Sequence, residues 1–341
     1  MHDLTHVNLE PTQNLKIGLL GLGLIGRQRL SAAIESGVSK NNVIIFDPDT
    51  SVKSKMNDTE LCFASSVSEF FSNKLDRIII GVPHNAIMEA TKASLASGAL
   101  VLLEKPMGRN LEEAEILLSI PNSQNLSIGF NYRFMPGIIE LKNVLTNNTL
   151  GSITSISLVL GHGGAPQDKD SWKLNPDISG GGALLDPGIH LIDLLLFLFE
   201  ASPHDIVISG GTSWRGFWDT GIDESVSVIG YLKSTMVQLN ISLVWWRTQF
   251  KVSVHGTEGY FELEGRGRTD GEQRTRQGTR WAWLEGVSQA ESEILRTLAT
   301  TDDSFKKETL AWFHNQYHVA SARDGINAMT LYNLILRNLH D

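Results

Sequence analysis

Cysteine is nearly missing from this sequence of 341 residues, which contains only Cys62. A single cysteine excludes an intrachain disulfide and suits a reducing cytoplasm, where we expect the protein to be located. Cys62 lies in the apolar segment Leu61–Ala64, for which we predict a short buried strand. Buried apolar thiols are usually inert, so a catalytic cysteine is disfavoured.

Long hydrophobic runs are also missing. The longest apolar stretch, Leu191–Phe199, contains Asp193 and is less than half a membrane span, so it predicts a buried helix. Residues 1–14 are polar and contain no apolar core of a secretory signal, so we interpret them as a flexible leader. The chain length favours two domains of roughly 100 to 200 residues each.

Positive charge is scarce, with a formal net charge of -9. This argues against nucleic acid as the partner, because phosphate-binding surfaces need concentrated lysine and arginine. One arginine-rich segment, Gly265–Arg280, is the exception. We interpret it as a solvated mobile loop; the alternative is a cluster that reaches a phosphate or carboxylate of a substrate. Its arginines are Arg266, Arg268, Arg274, Arg276 and Arg280.

A glycine-rich motif follows the first apolar strand of the chain. Lys16–Leu20 predicts the strand, and a helical stretch extends to about Ser36. Between them lies a G-x-G-x-x-G sequence, whose glycines allow a tight turn, close approach of a pyrophosphate, and packing of the helix on the strand. The motif predicts a dinucleotide site formed by Gly21, Gly23, Leu24, Ile25 and Gly26.

An acidic residue stands where a ribose-binding carboxylate is expected. Val43–Phe46 is a second apolar strand and ends at Asp47. A carboxylate there accepts hydrogen bonds from the adenosine ribose and repels a 2′-phosphate, which favours NAD over NADP. The alternative is a turn residue before Pro48. The order of strand, glycines, helix and acid favours the cofactor role.

Strands and helices continue to alternate up to about residue 133. Further strands are predicted at Arg77–Val82, Ala99–Glu104 and Leu126–Asn131. This pattern predicts an α/β fold whose residues 15–133 form a Rossmann domain, a doubly wound parallel sheet. Ligands of such sheets bind beyond the carboxyl ends of the strands. Those ends carry Asp47, Pro83, His84, Glu104, Lys105 and Asn131.

The second half of the chain, residues 134–341, is rich in short alternating segments typical of half-buried antiparallel strands. It contains all eight tryptophans, from Trp172 to Trp312. Packing of a sheet or of a subunit interface is the favoured role for these tryptophans, and stacking on a sugar ring is the alternative for Trp172.

Asp186-Pro187 has two interpretations. An acidic N-cap followed by proline predicts a helix start, which is a structural role. His190 and Asp193 follow at helical spacing, so the three side chains share one face. A histidine between two carboxylates has its tautomer and charge controlled, as a proton-relay group requires. The glycines at 180–182 would let a ligand approach the backbone.

These motifs resemble the Gfo/Idh/MocA oxidoreductases. The resemblance implies an N-terminal Rossmann domain and a C-terminal α+β domain, residues 134–341, with an open, mainly antiparallel sheet. That sheet often forms dimer or tetramer contacts in the family, so a homodimer or homotetramer is expected. The matching segments are Gly21–Gly26, Asp47, Pro83, Glu104–Pro106, Gly129–Phe134, Trp172-Lys173 and Gly180–Asp193.

The resemblance also implies residue roles. Lys105 hydrogen-bonds the reacting oxygen, and Asp186 and His190 match a D-x-G-x-H pair in which the histidine serves as acid and base. Many members have a histidine where this chain has Ile87. No metal site is expected. The substrate-binding residues implied are Lys105, Asn131, Arg133, Trp172, Lys173, Asp186 and His190.

The function expected is NAD-dependent interconversion of a secondary alcohol and a ketone on a sugar, cyclitol or nucleotide sugar. One alternative retains NAD for elimination, epimerisation or glycoside cleavage, and another is a non-catalytic sugar sensor. Specificity is expected in three loops, Gly161–Lys173, Trp214–Gly221 and Gly265–Gly286, and the arginine-rich segment favours an anionic substrate.

Overall fold

The computed structural model describes residues 12–56, 58–163, 170–279 and 293–340. These residues form a seven-stranded sheet and a nine-stranded sheet. The predicted leader lies outside the described residues except for Thr12–Asn14, a short 3-10 helix. Within the described ranges, no helix is long and apolar enough to cross a membrane.

The first sheet is built from six parallel strands that alternate with five helices. The strands are β1 (Ile17–Leu20), β2 (Val43–Phe46), β3 (Cys62–Phe63), β4 (Arg77–Ile80), β5 (Leu100–Glu104) and β6 (Leu126–Gly129). The helices are α1 (Leu24–Glu35), α2 (Ser51–Met56), α3 (Val67–Ser72), α4 (Ile87–Ala96) and α5 (Leu111–Ser119).

The order of these strands is β6-β5-β4-β1-β2-β3. Strands β1 and β4 are buried along their whole length, as expected for short apolar strands covered by helices on both faces. Strands β2 and β3 follow β1 on one side, and β4, β5 and β6 follow on its other side. Doubly wound sheets bind ligands at this switch point between β1 and β4. The predicted α/β fold with a parallel Rossmann sheet is confirmed.

Strand β3 corrects the prediction for Cys62. The predicted strand is present, but Cys62 is exposed. Strand β3 has two residues and pairs only with β2, at the edge of the sheet. Successive side chains of a strand point to opposite faces, and in β3 Phe63 is the partly buried one while Cys62 is exposed.

The second sheet is mainly antiparallel, as predicted. Its strands in this half are β7 (Ile153–Gly163), β8 (Ile206–Trp214), β9 (Ser225–Leu232), β10 (Thr235–Ser242), β11 (Val244–Gly256), β12 (Gly259–Glu264), β13 (Gln273–Thr279) and β14 (Glu293–Ala299). Helix α6 (Pro136–Thr146) precedes β7, and helices α7 (Pro176–Ser179) and α8 (Ile189–Phe199) lie between β7 and β8.

Helix α8 is the buried helix predicted from the longest apolar stretch. Nine of its eleven residues are buried, including Asp193. It packs against β7 and α6. Because almost every side of the helix faces other protein, its sequence is apolar all round.

The C-terminal part of the chain packs on both sheets. It forms α9 (Ser304–Phe313), β15 (Ala320–Ser321), α10 (Ala322–Leu336) and β16 (Leu339–His340). Strand β15 pairs antiparallel with β6 of the first sheet, and β16 pairs with β8 of the second. Helix α9 packs on α1. The predicted second domain, residues 134–341, therefore contains a segment that pairs with the first sheet, which the sequence did not indicate.

Candidate active site

A cleft of about 690 Å³ lies at the carboxyl ends of β1, β2, β4 and β5. This is the edge where the sequence places its strand-end residues. Of the predicted cofactor-binding residues, all but Gly26 line the cleft: Gly21, Gly23, Leu24, Ile25, Asp47, Pro83, His84, Glu104 and Lys105.

The glycine turn fits a pyrophosphate. Gly21 has φ +87°, and a Cβ there would lie 2.4 Å from the carbonyl oxygen of Gly81. A Cβ on Gly26 would lie 2.1 Å from the carbonyl oxygen of Gly21, whereas one on Gly23 would meet nothing within 4 Å. Gly23 is also the N-cap of α1, and no side chain caps the helix. The first amides of α1 thus lie beside an open cradle for an anion.

Asp47 is fixed beside this cradle. One carboxylate oxygen accepts the N–H of Leu22 at 2.6 Å, and the other accepts the N–H of Asp49 at 2.9 Å. The lysines that line the cleft belong to other segments, beyond the ends of β5 and β7. The neighbouring walls are apolar and suit a flat base: Phe46, Pro48, Val67, Phe71, Val82, Ala86, Ala90 and Ala93.

A carboxylate between two lysines lies at the β5 side of the cleft. Lys105 donates to Asp186 Oδ1, and Lys173 Nζ donates to Asp186 Oδ2 at 2.9 Å. Burial alone would raise the pKa of Asp186, but Lys105, Lys173 and His84 hold that pKa well below its usual range. The Asp186 charge in turn raises the pKa of Lys173. Two ammonium groups therefore flank one ionised carboxylate.

The predicted N-cap role of Asp186 is wrong. Helix α8 begins at Ile189, its N-cap is Gly188, and no side chain caps it. Residues 183–188 form turns before the helix. Asp223 holds the start of this segment by accepting the N–H groups of Gly182 and Leu184 at 3.1 and 2.7 Å. The Asp186 carboxylate is engaged by lysines from other segments, so a tertiary contact replaces the local cap.

His190 lies in the first turn of α8 and is 5% exposed. Its ring stacks on Tyr132, with centroids 3.9 Å apart and planes 5° apart. Burial and the Lys105 charge hold the pKa of His190 well below its usual range, although Asp186 opposes them. The imidazole is therefore neutral, the form that can accept a proton.

The expected position of His190 between two carboxylates is not observed. Asp193 instead forms an ion pair with Arg133, at 2.5 Å from Nη2. Arg133 is 4% exposed and also contacts Asp324 of α10, at 3.2 Å. Asn131, Arg133 and His190 were predicted to bind substrate, but none of the three lines the cleft or the smaller cavity beside it. Asn131 Nδ2 donates to Ser304 Oγ at 2.6 Å, at the start of α9.

A second cavity of about 100 Å³ adjoins the cleft and shares His84, Lys173 and Asp186 with it. His84 Nδ1 donates to the carbonyl oxygen of Ser179 at 2.7 Å. Burial is the main cause that lowers the pKa of His84 to about 4. Trp172 packs edge-to-face on His84 at 4.9 Å and lines the main cleft. The other residues of the small cavity are His162, Ser171, Leu174, Ser179, Trp218 and Leu243.

Sequence reasoning did not single out His162, Trp218 or Asp223. His162 and Trp218 lie in two of the loops predicted to carry specificity, but neither belongs to a motif. Asp223 acts through backbone amides of a segment about 40 residues away, so no spacing rule could identify it.

The arginine-rich segment is a loop only in its first part, residues 265–272, where the structure describes it. Residues 273–279 form β13, paired with β12 and β14. Arg266 and Arg268 pair with Asp270 and Asp302 at 2.6 and 2.5 Å, and neither lines the two cavities described above. Because carboxylates of the protein already pair with Arg266 and Arg268, these two arginines no longer favour an anionic substrate. Arg280 lies outside the described residues.

The fold and the cleft define a two-domain protein whose first domain binds a dinucleotide and whose second domain supplies Asp186 and Lys173. Residues 15–132 match the family described as "Oxidoreductase family, NAD-binding Rossmann fold". Residues 138–262 match the GFO/IDH/MocA C-terminal domain. The chain belongs to the Gfo/Idh/MocA family of oxidoreductases, as its motifs predicted.

Curated relatives match part of the chain. Glucose-6-phosphate 3-dehydrogenase of Bacillus subtilis (strain 168) is 32% identical over 199 residues, which cover 54% of each chain. The rhizopine catabolism protein MocA of Rhizobium meliloti is 24% identical over 205 residues, 59% of this chain and 62% of MocA. The chain thus spans little more than half the length of these relatives.

Solved structures match nearly the whole chain in fold. A levoglucosan dehydrogenase in complex with NADH and levoglucosan has a TM-score of 0.80 at 17% identity, covering 95% of this chain and 96% of that one. An inositol dehydrogenase homolog from Azotobacter vinelandii in complex with NAD+ has a TM-score of 0.79 at 15% identity, covering 97% and 96%.

Proposed function

We propose that this protein is an NAD-dependent dehydrogenase that interconverts a secondary alcohol and a ketone on a sugar, cyclitol or nucleotide sugar. The observation that carries the proposal is the Lys105–Asp186–Lys173 cluster at one side of the dinucleotide cleft. The names of relatives and structural neighbours support the substrate class, since they include glucose-6-phosphate 3-dehydrogenase, levoglucosan dehydrogenase and UDP-N-acetylglucosamine 3-dehydrogenase.

The cofactor we propose is NAD. Asp47 lines the cleft and supports this choice, because a carboxylate at this strand end accepts hydrogen bonds from the ribose and repels a 2′-phosphate. The cleft-lining lysines come from segments beyond β5 and β7. Bound in this cleft, NAD would accept a hydride from the carbinol carbon at C4 of its nicotinamide.

Lys105 and His190 have separate roles in the proposed reaction. Lys105 donates a hydrogen bond to the reacting oxygen and stabilises the negative charge that develops there. His190, neutral in its buried position, takes the hydroxyl proton, and the nearby Asp186 charge favours the imidazolium that forms. Acid and base assistance of this kind contributes roughly 10²- to 10⁴-fold in rate.

The small cavity is the proposed site for the substrate ring. His162, Ser171 and Lys173 supply polar groups, and Trp218 and Leu243 supply apolar surface. A mixture of this kind suits a polyhydroxylated ring, whose edges are polar and whose faces are apolar. Among the described residues that line this cavity, Lys173 is the one lysine, and its side chain is 54% exposed.

The test is absorbance of NADH on addition of sugars, inositols, sugar phosphates and sugar nucleotides, with NADP in place of NAD as a comparison. With the substrate found, Lys105→Ala should lower kcat by at least about 10²-fold because the oxyanion loses its donor. NAD affinity should change little. Lys251→Ala is the control, since Lys251 pairs with Glu262 and Glu264 in the second sheet.

Three results would contradict the proposal or one of its parts. Turnover of substrate without stoichiometric release of NADH would indicate a retained cofactor and no net redox change. Tight sugar binding with no reduction of the cofactor would indicate a sensor. A Lys105→Ala variant that keeps more than about a tenth of wild-type activity would remove Lys105 from the mechanism.

We also propose that copies of this chain assemble through the outer face of the second sheet. Val207, Tyr231 and Met236 are 62%, 46% and 41% exposed. They are direct neighbours across β8, β9 and β10, because Val207 pairs with Tyr231 and Tyr231 pairs with Met236. A continuous exposed apolar row of this kind is typical of a surface that another chain covers.

A further inference from the structure

Ring stacking is the main restraint on the orientation of His190. Among the described residues, His190 Nδ1 has no hydrogen-bond partner. The Phe130 ring lies edge-on at 6.2 Å, whereas the Tyr132 ring lies flat against the imidazole at 3.9 Å. Ring nitrogens in proton-transfer sites are usually fixed by a hydrogen bond to the second nitrogen. Here Tyr132 performs the orienting role.

Tyr132 is fixed in turn by a buried arginine. The Tyr132 hydroxyl accepts a hydrogen bond from Arg266 Nη1, and its ring packs edge-on against Phe250 at 5.6 Å. Arg266 is 9% exposed, and its Nε donates to Asp270 at 2.6 Å. It follows Gly265 directly after β12, so the second sheet supplies this anchor.

We propose that Arg266 is a positioning residue for His190, acting through the stacked ring of Tyr132, and that its guanidinium repels positive charge on the imidazole beyond that ring. This deepens the proposed function, because it rests on His190 as the proton acceptor. It also gives a role to Arg266 of the arginine-rich segment, which lines neither cavity of the site.

The charges that face His190 come from three places. Lys105 lies after β5, Asp186 lies before α8, and Arg266 and Arg268 lie in the turn after β12. Burial comes first among the causes that lower the pKa of His190; the three cations lower it further, and Asp186 raises it. Loss of the Arg266 charge therefore raises this pKa. The neutral ring would then predominate only at higher pH.

Two variants separate position from charge. Tyr132→Phe keeps the stacked ring and removes the acceptor of Arg266, so kcat should fall on the order of tenfold to a hundredfold while the acidic limb of kcat/KM stays in place. Arg266→Met should lower kcat and also move the acidic limb to higher pH. Arg276→Met, on exposed Arg276 of β13, should change neither.

A second measurement does not depend on activity. The imidazole of His190 can be titrated by NMR in protein labelled at histidine, with His190→Asn to assign its signal. The His190 midpoint should rise in Arg266→Met and not in Arg276→Met. A folded Arg266→Met with an unmoved limb and midpoint would overturn the inference, and so would a Tyr132→Phe variant with wild-type kcat.

The inference and the proposed function fail in different ways. If His190→Asn keeps full activity, His190 is not the acid and base, and that part of the proposed function is lost. The NMR midpoint still tests whether Arg266 controls the charge of His190. If Arg266→Met does not fold, the kcat of Tyr132→Phe still decides whether the hydroxyl contact positions the ring.

Discussion

Arg29 lies fully buried between two carboxylates, directly behind the candidate active site. Its Nε contacts Glu104 at 2.5 Å, and its Nη2 contacts Glu308 of α9 at 2.6 Å. Glu104 precedes Lys105, so this cluster fixes the end of β5 from which Lys105 extends. A Cβ on Gly129 would lie 2.6 Å from Arg29 Nη2, which explains the glycine at the end of β6.

Glu308 gives this cluster a dependence on pH. Burial raises the pKa of Glu308 to about 7 from an ordinary 4.5, with Arg29 opposing and Glu104 adding to the rise. Between those pH values the folded protein holds this proton more tightly than the unfolded chain. The contribution of Glu308 to the free energy of unfolding therefore falls as pH rises, by up to about 1.4 kcal/mol per pH unit.

Urea unfolding from about pH 5 to about pH 8 tests this directly. Glu308→Gln removes the titrating proton, so the wild type should lose stability relative to the variant as pH rises to about 7, and the two curves should run parallel above it. Glu258→Gln, at an exposed position between β11 and β12, is the control and should follow the wild type. Parallel wild-type and Glu308→Gln curves over the whole range would contradict the assignment.

The turn between β1 and α1 allows a test that separates folding from cofactor binding. Gly23→Ala adds a methyl group that meets no protein atom within 4 Å and extends into the cleft, so it should weaken NAD binding by about tenfold or more without loss of stability. Gly26→Ala places the methyl group 2.1 Å from a carbonyl oxygen, so it should lower the melting temperature as well.

Calorimetric NAD titration and thermal unfolding measure the two effects. Gly210→Ala is the control, because it also meets nothing within 4 Å but lies in β8, far from the cleft. It should change neither property. Equal NAD affinity in Gly23→Ala and the wild type would show that the cradle does not hold the pyrophosphate.

Local sequence signals account for some elements of the fold and not others. Strands β1, β2, β4, β5 and β6 were predicted because each is a short apolar run between turn residues. Strands β13 and β14 were not predicted. The side chains of β13 are polar and most of those of β14 are exposed, so neither strand shows the alternation of apolar and polar residues that marks a half-buried strand. The start of α8 was placed at Asp186, because the N-cap rule is local whereas Lys105 and Lys173 are distant in sequence.

At the scale of the molecule, the candidate site depends on contact between the domains. Lys105 comes from the first domain, whereas Lys173 and Asp186 come from the second. The C-terminal segment strengthens this contact, since Arg77 of β4 donates to the carbonyl oxygens of Trp312 and Phe313 at 3.0 and 2.8 Å. The sequence predicted the separate halves of the site but not the segment that joins them, because the residues in contact are distant in sequence, 235 and 236 residues apart for the two Arg77 hydrogen bonds.

The proposed assembly surface can be tested at Tyr231, the centre of the exposed row between Val207 and Met236. Tyr231→Glu should lower the assembled mass measured by light scattering after size exclusion, because an interface would bury the new charge without a partner. A tenfold rise in the dissociation constant corresponds to about 1.4 kcal/mol.

The control for this surface is Ile116→Glu, on exposed Ile116 of α5 in the first domain, which should keep the wild-type mass. A wild type that is monomeric at micromolar concentration, or a Tyr231→Glu variant of unchanged mass, would contradict the proposed surface. NAD binding should be retained in the separated chains, because the described residues of a single chain already form the dinucleotide cleft. Assembly would then act on the stability of the second sheet rather than on the chemistry.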